Sequence, residues 1–244
     1  SQISRNRLEG YAAFGEATYS LTESVRFTAG GRFSWDQREG EGQTAFGVPF
    51  SADEDYDNVD WKLGVELDLG ADAMAYATIQ TGYQPGTYNA FPATDELSNL
   101  VQSATMTAYT TGIKSRFLED RLQVNNELFY YDYEDLLVQS FNLNTALLTT
   151  FNAAQTTIWG NQLDVLFAPT GRDRLNLSVG YLNAEYDDFI VPDEVNMGIP
   201  NRDFGGYPLQ NAPEWTVSAG YQHEFPVGPG RVLARVETRY EDSF

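Results

Sequence analysis

Hydrophobic and polar residues alternate with a period of two along much of the chain. In residues 58–69 the odd positions from Val59 to Leu69 are all apolar, and the even positions are polar or glycine. Successive side chains of a β-strand point to opposite faces, so this segment predicts a strand with one apolar face and one polar face. An average strand has about five or six residues, whereas a tilted strand that crosses a membrane needs about 9–11.

The same alternation recurs and predicts about ten antiparallel strands. It is clear in residues 25–36, 213–225 and 231–240. Weaker versions occupy 11–19, 74–83, 106–117, 121–133, 155–167 and 175–186. The sequence therefore predicts an all-β protein whose strands are long enough to cross a membrane, with Val59, Trp61, Leu63, Val65 and Leu67 exposed to lipid.

The predicted connections alternate between short and long. Short ones lie near 20–24, 70–73, 118–121, 168–174 and 226–230, and long ones near 37–57, 84–104, 140–154 and 187–212. Transmembrane β-barrels have short turns at one end and long loops at the other. We find no linker that would divide the chain, so we expect residues 1–244 to form a single domain.

Composition supports the barrel and narrows the functions. Aromatic residues make up 14% of the chain, as the aromatic girdles of membrane barrels require, and cysteine is absent. The net charge of −20 argues against a nucleic-acid partner, because phosphate binding needs a basic surface. No apolar run is long enough for a spanning helix, and residues 1–20 do not resemble a signal peptide. We therefore expect a mature chain or a fragment.

Eight segments, in this order, resemble the C-terminal barrel region of TonB-dependent receptors. One reads Tyr76-Ala-Thr-Ile-Gln-Thr-Gly-Tyr-Gln-Pro-Gly86; the others are 11–22, 27–33, 109–117, 128–136, 152–160, 180–189 and 209–216. The resemblance implies a transmembrane antiparallel barrel of about 22 strands with an N-terminal plug domain in the outer membrane of a Gram-negative bacterium. Nothing here resembles the plug, and another hairpin is expected after Phe244. The chain is then expected to be an internal fragment of the barrel.

The resemblance also implies a function and partners. Such receptors take up a scarce ligand, such as a ferric siderophore, a vitamin or an oligosaccharide. Their energy comes from an inner-membrane complex through the protein TonB. The expected partners are thus outer-membrane lipid, TonB with that complex, and a small-molecule or oligosaccharide ligand.

The best candidates for ligand contact are aromatic residues in the predicted long loops. Tyr83, Tyr88 and Phe91 surround a Pro-Gly turn, and Arg202 and Tyr207 lie in the last long loop. Aromatic rings at the base of a loop can stack on a sugar or a chelate. The alternative is that Tyr83 belongs to an aromatic girdle and that Tyr88 and Phe91 pack the loops together.

Charged residues carry a weaker signal. The acidic run from Asp53 to Asp57 resembles a calcium loop only in its alternating carboxylates, and a solvated loop is the better interpretation; the same holds for Asp187, Asp188, Asp193 and Glu194. By parity, one set of basic residues faces the barrel lumen, where we expect pairing with carboxylates of neighbouring strands or of a plug: Arg26, Arg32, Lys62, Lys114, Arg116, Arg235 and Arg239.

No catalytic, metal or cofactor site is expected. The single histidine, His223, lies near a short turn on the predicted lipid-facing side, where an interfacial role is expected. Neither a Gly-x-Ser-x-Gly elbow nor a His-Glu-x-x-His motif occurs. An outer-membrane enzyme is therefore disfavoured. Two alternatives remain: a passive porin-like channel, and a soluble β-sandwich binding module, which would need a second sheet to cover the apolar face.

Overall fold

The computed structural model describes residues 5–43, 47–89, 100–142, 147–191 and 202–243. Its ten long strands are β1 (Arg5–Ser20), β2 (Val25–Gln43), β3 (Pro49–Asp68), β4 (Ala73–Gln84), β7 (Ala104–Phe117), β8 (Leu122–Asn142), β9 (Leu147–Phe167), β10 (Asp173–Asp188), β13 (Trp215–Val227) and β14 (Gly230–Glu241). Four short strands lie between them: β5 (Thr87–Tyr88), β6 (Leu100–Val101), β11 (Ile190–Val191) and β12 (Arg202–Asp203). No helix in these ranges has the length and apolar character needed to cross a membrane.

The ten long strands form one antiparallel sheet in which each strand pairs with the next long strand along the chain. This meander confirms the predicted strand number and topology. Within the described ranges, β1 pairs only with β2 and β14 only with β13, so the sheet has two edges. The short turns all lie at one end of the sheet, the short-turn end, and the longer connections lie at the other, the long-loop end.

Two of the predicted long loops are wrong. Residues 37–57 mostly belong to the β2–β3 hairpin, which pairs as far as Gln43 and Pro49. Residues 140–154 mostly belong to the β8–β9 hairpin, which pairs as far as Asn142 and Leu147. In these outer parts of the two hairpins, apolar and polar residues no longer alternate, although the backbone hydrogen bonds between the strands continue. A strand with both faces outside the apolar layer has no reason to keep an apolar side.

The apolar face of the sheet is more exposed than its polar face, which is the reverse of a sheet in a water-soluble protein. On β3, Val59 is 65% exposed and Leu63 52% exposed, and Trp61 and Leu67 are also exposed. Val65 is half-buried, as are most polar residues of the opposite face. The predicted exposure of the apolar face is thus confirmed for four of the five residues. The sheet displays its apolar side chains outward, as the wall of a transmembrane barrel does.

Aromatic rings line the apolar face near the long-loop end. Tyr109 lies 6.1 Å from Tyr130 between ring centroids, and Tyr181 lies 5.4 Å from Trp159 and 4.9 Å from Trp215. A second, sparser aromatic row near the short-turn end includes Phe167, eight positions from Trp159. Eight residues span about 26 Å along a strand, which matches the apolar band of about 25 Å in membrane barrels.

One polar pair interrupts the apolar face between these rows. Asn126 on β8 and Asn161 on β9 each donate a side-chain hydrogen bond to the other's Oδ1, at 3.1 and 3.2 Å. Each Nδ2 also donates to a backbone carbonyl, that of Gln162 for Asn126 and that of Glu127 for Asn161. The two amides therefore satisfy each other in a setting where lipid would offer no partner.

Candidate ligand-binding site

The polar face carries charged side chains that pair across strands. Arg26 on β2 donates to Glu66 at 2.9 Å and forms two bonds to Asp68, at 2.6 and 2.8 Å, both on β3. Lys62 on β3 reaches Glu16 on β1 at 3.1 Å, across the intervening β2. The prediction of pairing with carboxylates of a neighbouring strand is confirmed for Arg26, whereas Lys62 pairs with a carboxylate two strands away.

The other predicted lumen-facing bases have different partners. Arg235 and Arg239 each pair with a glutamate two residues further along β14. Arg116 approaches Asp120 in the next turn at 3.9 Å, and Arg32 donates to Ser34. The fifth, Lys114, stands 5.2 Å from the ring centre of Tyr76. Five of the seven predicted lumen-facing bases therefore pair with carboxylates of this chain.

In the middle of the polar face, a tyrosine side chain lies over a glycine. Tyr76 on β4, Gly112 on β7 and Glu127 on β8 lie in one cross-strand row. The Tyr76 hydroxyl donates to the Glu127 carboxylate over Gly112. A Cβ atom at Gly112 would lie 2.7 Å from that hydroxyl oxygen. Glycine is therefore required for this contact, which places a polar bridge on the lumen side of the wall.

The described residues of the segment between β4 and β7, 85–89 and 100–103, contact both the β2–β3 hairpin and β9 at the long-loop end. At β9, Asn89 donates from Nδ2 to the Thr150 carbonyl at 3.1 Å and accepts from the Thr150 N–H at 2.7 Å. Asn152 on β9 does the converse with Gln102, accepting at 2.9 Å and donating at 3.0 Å. Each side-chain amide supplies the two hydrogen bonds that a neighbouring strand would make. We call these residues, 85–89 and 100–103, the crossing loop.

The crossing loop rests on the β2–β3 hairpin through two tyrosines. Tyr56 of β3 and Tyr88 of β5 are each 9% exposed. A Cβ at Gly40 would lie 3.1 Å from the Tyr88 ring, and one at Gly86 would lie 2.5 Å from the Tyr56 hydroxyl. Both glycines therefore permit close packing of the loop on the hairpin. Burial, followed by the charges of Tyr56, Glu54 and Asp53, raises the pKa of the Tyr88 hydroxyl to about 12.

An aromatic cluster also lies at the long-loop end of β8, β9 and β10. Phe189 is 5% exposed and Tyr186 is 6% exposed, with their ring centroids 5.0 Å apart. Around them pack the partly buried residues Leu136, Val138, Phe151, Phe204 and Leu209. These residues come from β8, β9, β10 and the β10–β13 connection. The cluster joins that connection to the β8–β9 hairpin.

The structure brings together two of the five residues predicted to contact ligand. Tyr83 is half-buried, and its buried hydroxyl lacks a hydrogen-bond partner within the described ranges. Tyr83 and Tyr88 both lie beside Tyr56. Tyr207 belongs to the other cluster: it is 59% exposed and stands edge-on to Phe204 at 5.8 Å. Phe91 and the side chain of Arg202 lie outside the described residues.

The acidic run and the histidine lie in strands. Residues 53–57 form part of β3 and pair with β2, so their side chains alternate between the two faces. Asp187 and Asp188 end β10, whereas Asp193 and Glu194 lie outside the described residues. Within those residues no group of three potential metal-ligating side chains comes together. His223 lies on the apolar face near the short-turn end, where its Nδ1 is 2.6 Å from Asp173 Oδ1.

Sequence reasoning missed the residues that fix the crossing loop. Asn89, Gln102 and Asn152 lie in segments predicted as loops, and asparagine there is equally compatible with an ordinary turn. Tyr56 was missed because the acidic residues around it, from Asp53 to Asp57, predicted a solvated loop. Its position on the polar side of an extended strand is a usable signal, because an aromatic residue at a polar position of the alternation predicts a local contact.

The arrangement suits binding of a solute that enters from the long-loop end. The crossing loop, the buried pair Tyr56 and Tyr88, and the cluster around Phe189 lie at this end, and we call them together the collar. Polar side chains line the wall beyond the collar.

The comparisons agree with this geometry. A family model described as "TonB dependent receptor-like, beta-barrel" matches residues 1–243. The ferric yersiniabactin uptake receptor FyuA from Yersinia pestis superposes with a TM-score of 0.77 at 19% identity, covering 98% of this chain and 35% of that chain. The siderophore receptor PiuA from Acinetobacter baumannii gives 0.75 at 16% identity, covering 97% and 34%.

A third similar structure is named for the transport of a different substance, copper. The copper transporter OprC gives a TM-score of 0.67 at 16% identity, covering 88% of this chain and 32% of that chain. This chain therefore spans about a third of the length of the structures that it matches. At these identities the likeness establishes the fold.

Proposed function

Since this chain belongs to the TonB-dependent receptor family as β-barrel sequence, we propose that it is part of an outer-membrane receptor that takes up a scarce ligand in a Gram-negative bacterium. Residues 1–244 contribute one domain, a section of a larger barrel wall. The observation that carries the proposal is the inverted exposure of the sheet, with Val59 and Leu63 outward and the paired polar residues inward. A wall of this kind separates lipid from an aqueous lumen.

The direction of uptake follows from the two ends of the sheet. We propose that the long-loop end faces the cell exterior and the short-turn end the periplasm, as in barrels of the outer membrane. The ligand then meets the crossing loop and the aromatic clusters first. The barrel would be energised through TonB from the inner membrane, and no enzymatic step is assigned to it.

Ligand contact is proposed for the aromatic residues of the collar. Tyr83 at the end of β4 and Tyr207 in the β10–β13 connection offer rings, and Phe91 and Arg202 belong to the β4–β7 and β10–β13 connections. Tyr88 supports the contact by holding the crossing loop on Gly40. A ferric siderophore fits this surface, because a chelate presents both polar oxygens and flat apolar rings to tyrosine and arginine. A vitamin, an oligosaccharide or a copper ion is the alternative cargo.

The uptake proposal is tested in cells that lack the chromosomal gene. The full-length receptor is supplied on a plasmid, and accumulation of radioactive iron from a panel of ferric siderophores is measured with and without functional TonB. Accumulation that needs both the receptor and TonB supports the proposal. Accumulation that needs the receptor but persists without TonB would show a passive channel instead.

The site is tested by removing single rings. Tyr83→Ala or Tyr207→Ala should weaken ligand binding about two- to tenfold, because one aromatic contact is worth about 0.5–1.5 kcal/mol. The matched controls Tyr83→Phe and Tyr207→Phe keep the ring and should retain most of the affinity. Equal losses in the alanine and phenylalanine variants would assign the effect to the hydroxyl groups and reject ring stacking.

A further inference from the structure

Arg38 is a half-buried arginine near the long-loop end of β2. Glu54 of β3 lies directly opposite it in the register, but no ion pair joins the two. Within the described ranges Arg38 makes no other ion pair or hydrogen bond either, and its Nε is a buried atom without a partner. Arg26, on the same face of β2, instead holds two carboxylates of β3. The neighbouring strands therefore leave the charge of Arg38 unpaired.

Arg38 lies where the crossing loop packs on the β2–β3 hairpin. Alternate residues of a strand share a face, so Arg38 lies on the same face of β2 as Gly40, against which the Tyr88 ring packs. The charge of Arg38 lowers the pKa of the Tyr56 and Tyr83 hydroxyls, against the larger effect of their burial. The guanidinium group is therefore within electrostatic range of both tyrosines. Since Nε alone of its nitrogens is buried without a partner, the two terminal nitrogens remain accessible.

A second buried donor in this group also lacks a partner. The Tyr83 hydroxyl oxygen is buried and makes no hydrogen bond to another described residue. Burial is the largest of the causes that raise the pKa of Tyr83, so its hydroxyl keeps the proton at neutral pH. Buried donors are almost always hydrogen-bonded, and an unpaired one is costly, most of all when it is charged. Two unpaired donors within one small group indicate that an acceptor binds here.

We propose that Arg38 binds an anionic oxygen of the ligand, a carboxylate or catecholate oxygen of a ferric chelate. Its guanidinium group donates to that oxygen while the ring of Tyr83 stacks on the flat part of the chelate. Guanidinium groups bind such oxygens through paired, charge-assisted hydrogen bonds. A bond to a neutral hydroxyl is weaker than one to a charged group, so the Tyr83 hydroxyl contributes less than Arg38. The inference rests on the proposed function and adds to it the charge of the ligand.

The test compares chelates of opposite charge with the full-length receptor, in the TonB-dependent iron accumulation assay. The anionic probes are ferric citrate and the ferric catecholate complex of dihydroxybenzoylserine, and the cationic probe is ferrioxamine B. The wild type should accumulate iron from an anionic probe. Accumulation from ferrioxamine B alone, or from none of the three, would overturn the inference. TonB-dependent uptake of ferrioxamine B, cobalamin or copper would still support the proposed function, so the two failures are distinguishable.

Variants of Arg38 then locate the charge that binds the accumulated anionic probe. Arg38→Gln should bind that probe about tenfold more weakly or worse, because a hydrogen bond to a charged group is lost. Arg32→Gln is the matched control: it removes the same charge from the same face of β2, where Arg32 donates to Ser34, and should leave the affinity nearly unchanged. Equal losses in both variants would overturn the inference.

A stability measurement separates the ligand from a partner within the receptor. Unchanged affinity in Arg38→Gln, with a lower resistance to urea, would show that Arg38 pairs with another part of the receptor, and the inference would be wrong. Should Arg38→Gln fail to reach the outer membrane, Arg38→Lys keeps the charge but loses the paired donors. It should then bind the anionic probe severalfold more weakly than the wild type, and equal affinity would overturn the inference.

Discussion

The wall and the collar of this molecule place apolar side chains in opposite ways. In the wall, Val59 and Leu63 are more than half exposed, with no second layer covering them. In the collar, only three residues beyond Val59, Tyr56 is 9% exposed, and Phe189 is 5% exposed in the second cluster. Apolar side chains are thus exposed in the wall and buried in the collar, and the change takes place within β3.

The difference shows which solvent each region is built for. An exposed apolar face of this size would be unstable in water but is the favoured surface in lipid. The collar buries its rings in small clusters, as a water-soluble domain does. The position of a residue along β3 therefore predicts whether a substitution changes stability through contact with lipid or through packing against other side chains.

The largest expected effect comes from charging the wall. Leu63→Lys should destabilise the folded barrel by about 2–4 kcal/mol, because a basic residue near mid-membrane loses its hydration. Thr78→Lys is the control, since Thr78 lies on the polar face opposite Gly64, and should cost much less. Urea unfolding of the full-length receptor in lipid vesicles measures both. Equal costs would contradict the assignment of the two faces.

Truncating a ring in the collar should have a smaller and more local effect. Phe189→Ala should cost about 2 kcal/mol, below the 3–5 kcal/mol of a closed core, because the cluster is open on one side. The cost should be seen as faster hydrogen exchange at Tyr186 and Phe204, with the wall unchanged. Tyr207→Ala, at an exposed position, should stay within about 0.5 kcal/mol. Faster exchange throughout the wall would show that the two regions unfold together.

The crossing loop should loosen at high pH. The pKa of the Tyr88 hydroxyl is raised to about 12 by its burial, from an ordinary value of about 10. The folded loop favours the neutral hydroxyl, so this contribution is intact below pH 10 and is lost as the pH rises to about 12. Proteolysis of the loop across this range measures the effect. Tyr88→Phe, which cannot ionise there, should reduce the effect and leave the part that comes from Tyr56, whose pKa is also raised by burial.

The smallest effect is expected at a turn of the wall. Leu118, Glu119 and Asp120 all have positive φ, at 58°, 57° and 65°. Non-glycine residues pay about 1–2 kcal/mol in this region, and glycine loses more chain entropy on folding. Glu119→Gly should therefore stabilise the wall by about 0.5–1 kcal/mol in the same urea assay. A destabilised variant would show that Glu119 has a side-chain role.

The wall could be predicted from the sequence, and the collar could not. Alternation at residues 58–69 predicts the part of the strand that faces lipid and its outward face, because side chains on that face must be apolar where they contact lipid. The β2–β3 extension to Gln43 and Pro49 was missed because strands beyond the lipid lose that signal. The roles of Asn89 and Asn152 depend on partners 61 and 50 residues away, and no local pattern encodes such a pairing.

The alternation of short turns and long connections has a consequence for how such a wall can change in evolution. Each β-hairpin begins and ends at the same end of the sheet, so duplication or loss of a whole hairpin preserves the side on which every later loop emerges. Gain or loss of one strand would move all the following long loops to the opposite side. A lineage of these barrels can therefore widen or narrow only in steps of two strands while it keeps one surface for recognition.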